Sequence, residues 1–224
     1  MALPRPLTPS RTQAVINEAA ARQPAIVSPF TQNLIAATHN VEGKGGLDPR
    51  SRGVMIHKLL QELPKIATKK RHERALAYLG KLLPDEETEA HEHILRSVEQ
   101  VFELEQLAPC FDPATSRSEV SLMGTIETHS GPRPVSGQVD RLAVLDDRII
   151  ILDFKTGSTI PADEATIAPD YITQMALYRQ LIAQIYPDRP VSCLLVWTHA
   201  PDLPKVIELS PSGLDVAMAK IALL

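Results

Sequence analysis

An aspartate and a lysine stand two positions apart in the apolar stretch "ILDFKTG" at 151–157. On a strand successive side chains alternate faces, so Asp153 and Lys155 project to one side while Leu152 and Phe154 project to the other. Thirteen residues before Asp153, the run "GQVDRL" carries Asp140, with Asp146 and Asp147 as a turn between the two stretches. Paired as neighbouring strands, the runs would bring both carboxylates within reach of one hard cation, the kind that takes oxygen ligands. Lys155 would then supply positive charge where an attacking hydroxide or a phosphoryl oxygen gains negative charge. D-x-K alone also reads as a structural ion pair at a sheet edge. A carboxylate on one strand, D-x-K on the next and a helix after them form a more specific pattern.

That following helix, "YITQMALYRQLIAQIY", places Gln174 and Tyr178 at i and i+4 on one face. Met175, Leu177, Leu181 and Ile182 suit the face toward a sheet. Upstream, "GVMIHKLLQELP" sets His57 beside an apolar stripe of Ile56, Leu59, Leu60 and Leu63, four residues after Gly53. A lone histidine so placed is more often a satisfied boundary residue than a ligand. "HEH" at 91–93 looks like a metal tract, but His91 and His93 are two apart on a helix and diverge, so both read as surface. "KKRHER" at 69–74 reads as a solvated helical face, and Trp197, Tyr171 and Tyr186 as core or edge packing.

The elements that position these residues follow from period and punctuation. "MALPRPLTPSRTQ" is a Pro-rich lead-in, Ser10 is a candidate cap for a helix through "RTQAVINEAAARQ", and residues 36–52 are loop-like, with three of the ten glycines. Helical patterns run from Gly53 to about Leu107, the first stopped by Pro64. Near Ser118 the period changes. "SEVSLMG", "VSGQVDRLAVL" and "RIIILDF" read as strands, followed by the Gln174 helix ended by Pro187, the strand "VSCLLVW", a short strand "KVIEL" and a last helix opening near Ser212. The expected organisation is a lead-in over 1–48 and one domain over 49–224, helical over 49–110 with the sheet over 111–224.

Bulk composition narrows the function classes. At 224 residues, 44% apolar and 22% charged, the chain suits one sizeable soluble core. No run approaches the roughly 20 apolar residues of a membrane span, and the N-terminus lacks a signal-peptide core, so a cytoplasmic location is expected. Cys110 and Cys193 cannot alone build a zinc knuckle or an iron–sulfur cluster. A net charge of −4 argues against grip by bulk electrostatics, so a polyanion must be held locally or delivered. With aromatics at 4%, no base-stacking platform is expected.

Taken together, "RGVMIHKLLQELP", "VSGQVDRL", "ILDFKTG", "YITQMALYR" and "VSCLLVWTHAP" resemble the RecB-type branch of the PD-(D/E)xK nucleases, close to the C-terminal nuclease domain of the AddA helicase–nuclease subunits, over roughly residues 50–210. The resemblance implies a restriction-endonuclease-like α/β core, a mixed sheet flanked by helices with an N-terminal helical extension. It also implies a Mg²⁺- or Mn²⁺-dependent DNA nuclease of exonuclease type acting in double-strand break repair and recombination. Asp140, Asp153 and His57 match the metal ligands, Lys155 the catalytic lysine, and Gln174 and Tyr178 the Q-x-x-x-Y motif that positions water and scissile phosphate. Glu119 sits where relatives often carry an acidic residue, and equally suits a solvent-facing strand position. The implied partners are DNA, as a single strand at the site, a helicase motor and an AddB-like subunit. No Walker A motif is present, since "GKGG" at 43–46 has neither its spacing nor its Ser/Thr, so a motor would be supplied elsewhere. The competing reading is a non-catalytic DNA-binding or assembly module of such a complex.

Overall fold

The computed structural model describes residues 48–84, 88–199 and 203–224. The Ser10 helix and most of the lead-in lie outside them.

Helix α1 spans Pro49–Glu62, so the last residues of the expected 36–52 loop are helical. Its start was written in "DP": Asp48 accepts from the N–H groups of Arg50 and Ser51, and Pro49 sits where a missing N–H costs nothing. Ile56, Leu59 and Leu60 form its buried stripe. A 3₁₀ turn over Leu63–Lys65 absorbs Pro64. Helices α2 (Thr68–Leu82), α3 (Thr88–Phe102) and the short α4 (Ala108–Phe111) complete this layer. His91 is buried, contrary to the surface expectation, and its Nε2 lies 2.9 Å from the Leu83 carbonyl oxygen. Its neighbours Leu95 and Val98 define the same buried face.

Five strands follow: β1 (Ser116–Thr128), β2 (Gly131–Val144), β3 (Ile149–Lys155), β4 (Val191–Trp197) and β5 (Lys205–Glu208), arranged in that order. Among the described residues only the β3–β4 pair is parallel, and α5 (Pro169–Ile185) makes the crossover between those strands. The β1–β2 hairpin runs further than the apolar pattern indicated, because "TIETHSGPRP" pairs from Thr125–Pro134 to Thr128–Gly131. β3 pairs only with residues 141–144 of β2, so Pro132 and Pro134 lie on a part of the strand with one open edge. Gly131, at φ +99°, makes the turn.

The sheet divides two apolar clusters. Ile149 and Ile151 face α5 and the C-terminal helix α6 (Pro211–Ala222), whereas Ile150, Leu152 and Phe154 face α1 to α4. β3 is therefore covered on both faces, which is why it reads as a continuous apolar run. Among the described residues no helix is long and apolar enough to cross a membrane. The architecture is the mixed five-stranded sheet with flanking helices expected of a PD-(D/E)xK core.

Candidate active site

Asp140 sits at a break in two strand ladders. β2 and β3 pair as far as Arg141–Leu152, and just beyond that point the Phe154 N–H donates to Asp140 Oδ2 at 2.8 Å. On the other side Ser118 pairs with Arg141 and Val120 with Val139, but Glu119, opposite Asp140, drops out with φ +54°. A non-glycine residue in that conformation costs of order 1–3 kcal/mol and persists only where its surroundings dictate it. Sequence alone left Glu119 open; the structure puts it beside Asp140, half-buried. Burial and the Asp140 charge hold its carboxyl above the usual range.

His57 reaches the same aspartate from α1, with Nδ1 at 3.5 Å from Asp140 Oδ2, and its ring packs edge-on to Phe154. Burial pulls the imidazole pKa down, but the charge and hydrogen bond of Asp140 outweigh it and the net shift is upward. For Asp140 burial acts upward, yet His57 and the Phe154 N–H bring the carboxyl below its ordinary value.

Asp153 and Lys155 emerge on the α5 face of β3. Their charged groups are 2.6 Å apart with side chains 6% and 11% exposed, so this is a largely buried ion pair. The Gln174 amide bridges them: its Nε2 donates to Asp153 Oδ1 at 3.1 Å, and its Oε1 accepts from Lys155 Nζ at 3.0 Å. Nε2 also lies 3.3 Å from the Tyr178 hydroxyl, which donates to the Gln138 carbonyl at 2.7 Å. Burial pushes the Tyr178 hydroxyl pKa strongly upward, so it is a donor at neutral pH. The Asp153 carboxyl is also shifted upward, first by burial, with Lys155 opposing and Asp140 reinforcing.

Two members of the site escaped the sequence reading. Tyr171, expected to be packing, presents its ring 4.0 Å from Lys155 Nζ. Its signal was spacing, since residues 171, 174 and 178 recur at three and four steps on one helical face. Arg141, 4% exposed, donates from Nη2 to the Leu60 carbonyl at 2.6 Å and lies over the Phe111 ring. It ties the Asp140 strand to α1 and so fixes where His57 stands. A charge inside an apolar strand was its only sequence mark.

The donors suit a hard divalent cation: carboxylate oxygens with one imidazole nitrogen. Among the described residues no three His, Cys, Asp or Glu side chains close into a cage, because Asp153 is turned to Lys155 and Gln174. An open site of this kind fits Mg²⁺, which usually binds through one or two carboxylates and takes water and substrate phosphate as the remaining ligands. One buried and one part-buried carboxylate, each set against a single cationic side chain, Lys155 and His57, are a further mark of such a site.

No curated protein matches the sequence. Among solved structures, the crystal structure of SSO0001 aligns at 15% identity and TM-score 0.34, over 88% of this chain and 85% of its own. The crystal structure of a "putative exonuclease" from Eubacterium rectale aligns at 11% identity and TM-score 0.49, over 90% of this chain and 84% of its own. The family model of the PD-(D/E)XK nuclease superfamily matches residues 33–216, most of the chain, and the protein belongs to that superfamily.

Proposed function

We propose that this chain is a metal-dependent deoxyribonuclease of exonuclease type that hydrolyses phosphodiesters at the Asp140–Asp153–Lys155 centre. The observation that carries the reading is the Gln174 amide joined to both Asp153 and Lys155 beside the His57–Asp140 pair, in a chain of this superfamily.

Asp140, Asp153 and His57 would hold Mg²⁺ or Mn²⁺, which supplies Lewis-acid activation of water and of the phosphodiester. Lys155, a charge only 11% exposed, stabilises negative charge developing on the phosphoryl oxygens. Gln174 holds Lys155 and Asp153 in register, and Tyr178 anchors Gln174 to β2 through the Gln138 carbonyl. Glu119 adds a further acidic group at the mouth of the site.

The wider reading rests on the motif resemblance to the RecB-type branch: a nuclease domain over 49–224 that serves double-strand break repair beside a helicase motor and an AddB-like subunit, on single-stranded DNA. The test of the core proposal is a cleavage assay on the purified chain with labelled single- and double-stranded DNA in Mg²⁺, Mn²⁺, Ca²⁺ and EDTA. Cleavage in Mg²⁺ or Mn²⁺ that is lost in EDTA and in Asp153→Asn supports it; full activity in EDTA sinks it. No cleavage in any metal, with DNA binding retained, would favour the non-catalytic module.

A further inference from the structure

We propose that the groove between the first turn of α1 and the loop after Lys155 is an anion site that holds the backbone phosphate adjoining the scissile one. This rests on the nuclease reading and adds the strand's path to it.

The groove encloses about 500 Å³ and is lined by Arg50, Arg52, Thr156, Gly157, Ser158 and His199, with Pro49 at its rim. Two guanidinium groups, an imidazole and two hydroxyls therefore meet with no carboxylate in the lining among the described residues, on a chain whose net charge is −4. Among the described residues neither arginine is in an ion pair, and Arg52 Nε is buried without a hydrogen-bond partner. Asp48, at the head of the helix, is engaged with the Arg50 and Ser51 N–H groups. The His93 ring lies 6.0 Å from that of His199. His199 is held below its ordinary pKa first by burial and then by Arg52 and His93.

Position supplies the identity of the anion. Thr156 and Gly157 follow Lys155 directly, so the groove opens within about 7 Å of the catalytic lysine along the chain. That adjacency is what makes the next backbone phosphate of a strand engaged at Lys155 the proposed occupant. Among the described residues the lining carries no Phe, Tyr or Trp ring, so the contact reads backbone charge and not base identity. Gly157 lines the groove, and a Cβ there would meet no protein atom within 4 Å.

The experiment measures binding of a fluorescein-labelled single-stranded oligonucleotide by anisotropy in Ca²⁺ across a salt series, alongside cleavage in Mn²⁺. The variants are Arg50→Ala, Arg52→Ala, their double and Gly157→Ala, each checked for an unchanged thermal melt. Gly157→Ala removes no charge and touches no protein neighbour, so it probes the groove where an arginine variant fails to fold. The double variant should bind roughly tenfold more weakly, with a salt slope reduced by about 0.7 for each lost phosphate contact. Gly157→Ala should weaken binding severalfold at unchanged slope. If the wild-type protein cuts DNA and all variants bind as it does, the groove proposal is overturned. If the wild type fails to cut but the variants still lose affinity, the groove stands and the hydrolytic reading falls. Absence of binding by the wild type overturns the groove.

Discussion

The Gln174 amide nitrogen donates to Asp153 Oδ1 at 3.1 Å from a different element, α5, across the face of β3. Only one orientation of that amide satisfies its neighbours, because its oxygen must face the Lys155 ammonium. Gln174→Glu should therefore be worse than Gln174→Ala: it sets an acid against Asp153 and drives the two to share a proton. Activity should fall by about 10- to 100-fold in Gln174→Ala, as for other groups that orient a metal ligand, and further in Gln174→Glu. Equal activity of Gln174→Glu and wild type in a steady-state cleavage assay would remove the bridge from the mechanism.

A second expectation concerns the ion pair. A motif open to solvent would tolerate truncation with little loss of stability, but Asp153 is buried and Lys155 is largely covered. Lys155→Met should cost about 3 kcal/mol, since it strands a buried carboxylate. Adding Asp153→Asn should recover most of that. In Lys155→Met the upward-shifted Asp153 stays protonated in the folded state after its unfolded counterpart has ionised. Stability is thus greatest at acid pH and declines as pH rises through the folded pKa. Urea melts of the single and double variants across pH check both statements.

The approach of α1 to the end of β3 gives a third. A Cβ on Gly53 would lie 2.5 Å from Thr156 Oγ1 and 3.2 Å from its Cβ. Gly53→Ala should destabilise the fold by about 1–3 kcal/mol as an overpacked contact, and displace the residue next to Lys155. Thr156→Gly in the same chain should restore stability. A double-mutant cycle with no coupling energy would show that the two positions do not press on each other.

His57 links stability and activity to pH in opposite senses. Its folded pKa is raised by Asp140, so the stabilisation from this pair is fully present below the unfolded value of about 6.5 and is lost as pH rises through the folded one. Cation binding needs the neutral imidazole, so cleavage should climb over the same interval. Asp140, shifted downward, loses its contribution only on the acid side. Denaturant melts in EDTA between about pH 6 and about 8 should slope downward for the wild type and flatten in His57→Ala. A wild-type curve as flat as the variant would sink the linkage.

Both thiols should be inert in the native state. Cys110 and Cys193 are fully buried, and burial pushes each pKa up to about 12, leaving ~10⁻⁵ of either as thiolate at neutral pH. Titration with an aromatic disulfide reagent should find no reactive thiol in the folded protein and both after guanidinium is added.

Sequence by itself determined the strand–turn–strand carrying Asp140, Asp153 and Lys155, because alternation along a β-run is local and a continuous apolar run marks a strand covered on both faces. It also placed Gln174 and Tyr178 on one helical face, which is a matter of period. It did not reveal that Glu119 leaves the ladder opposite Asp140, since positive φ in a non-glycine residue is imposed by neighbours and not by the residue type. The buried state of the Asp153–Lys155 pair likewise came only with the fold: α5 must lie across β3 before Gln174 can bridge the two charges and Tyr171 can cover the ammonium. Arg141 and His57 stand 84 positions apart and share neither a motif nor a period, but one helix packs on one strand, and the Arg141–Leu60 hydrogen bond ties the two together.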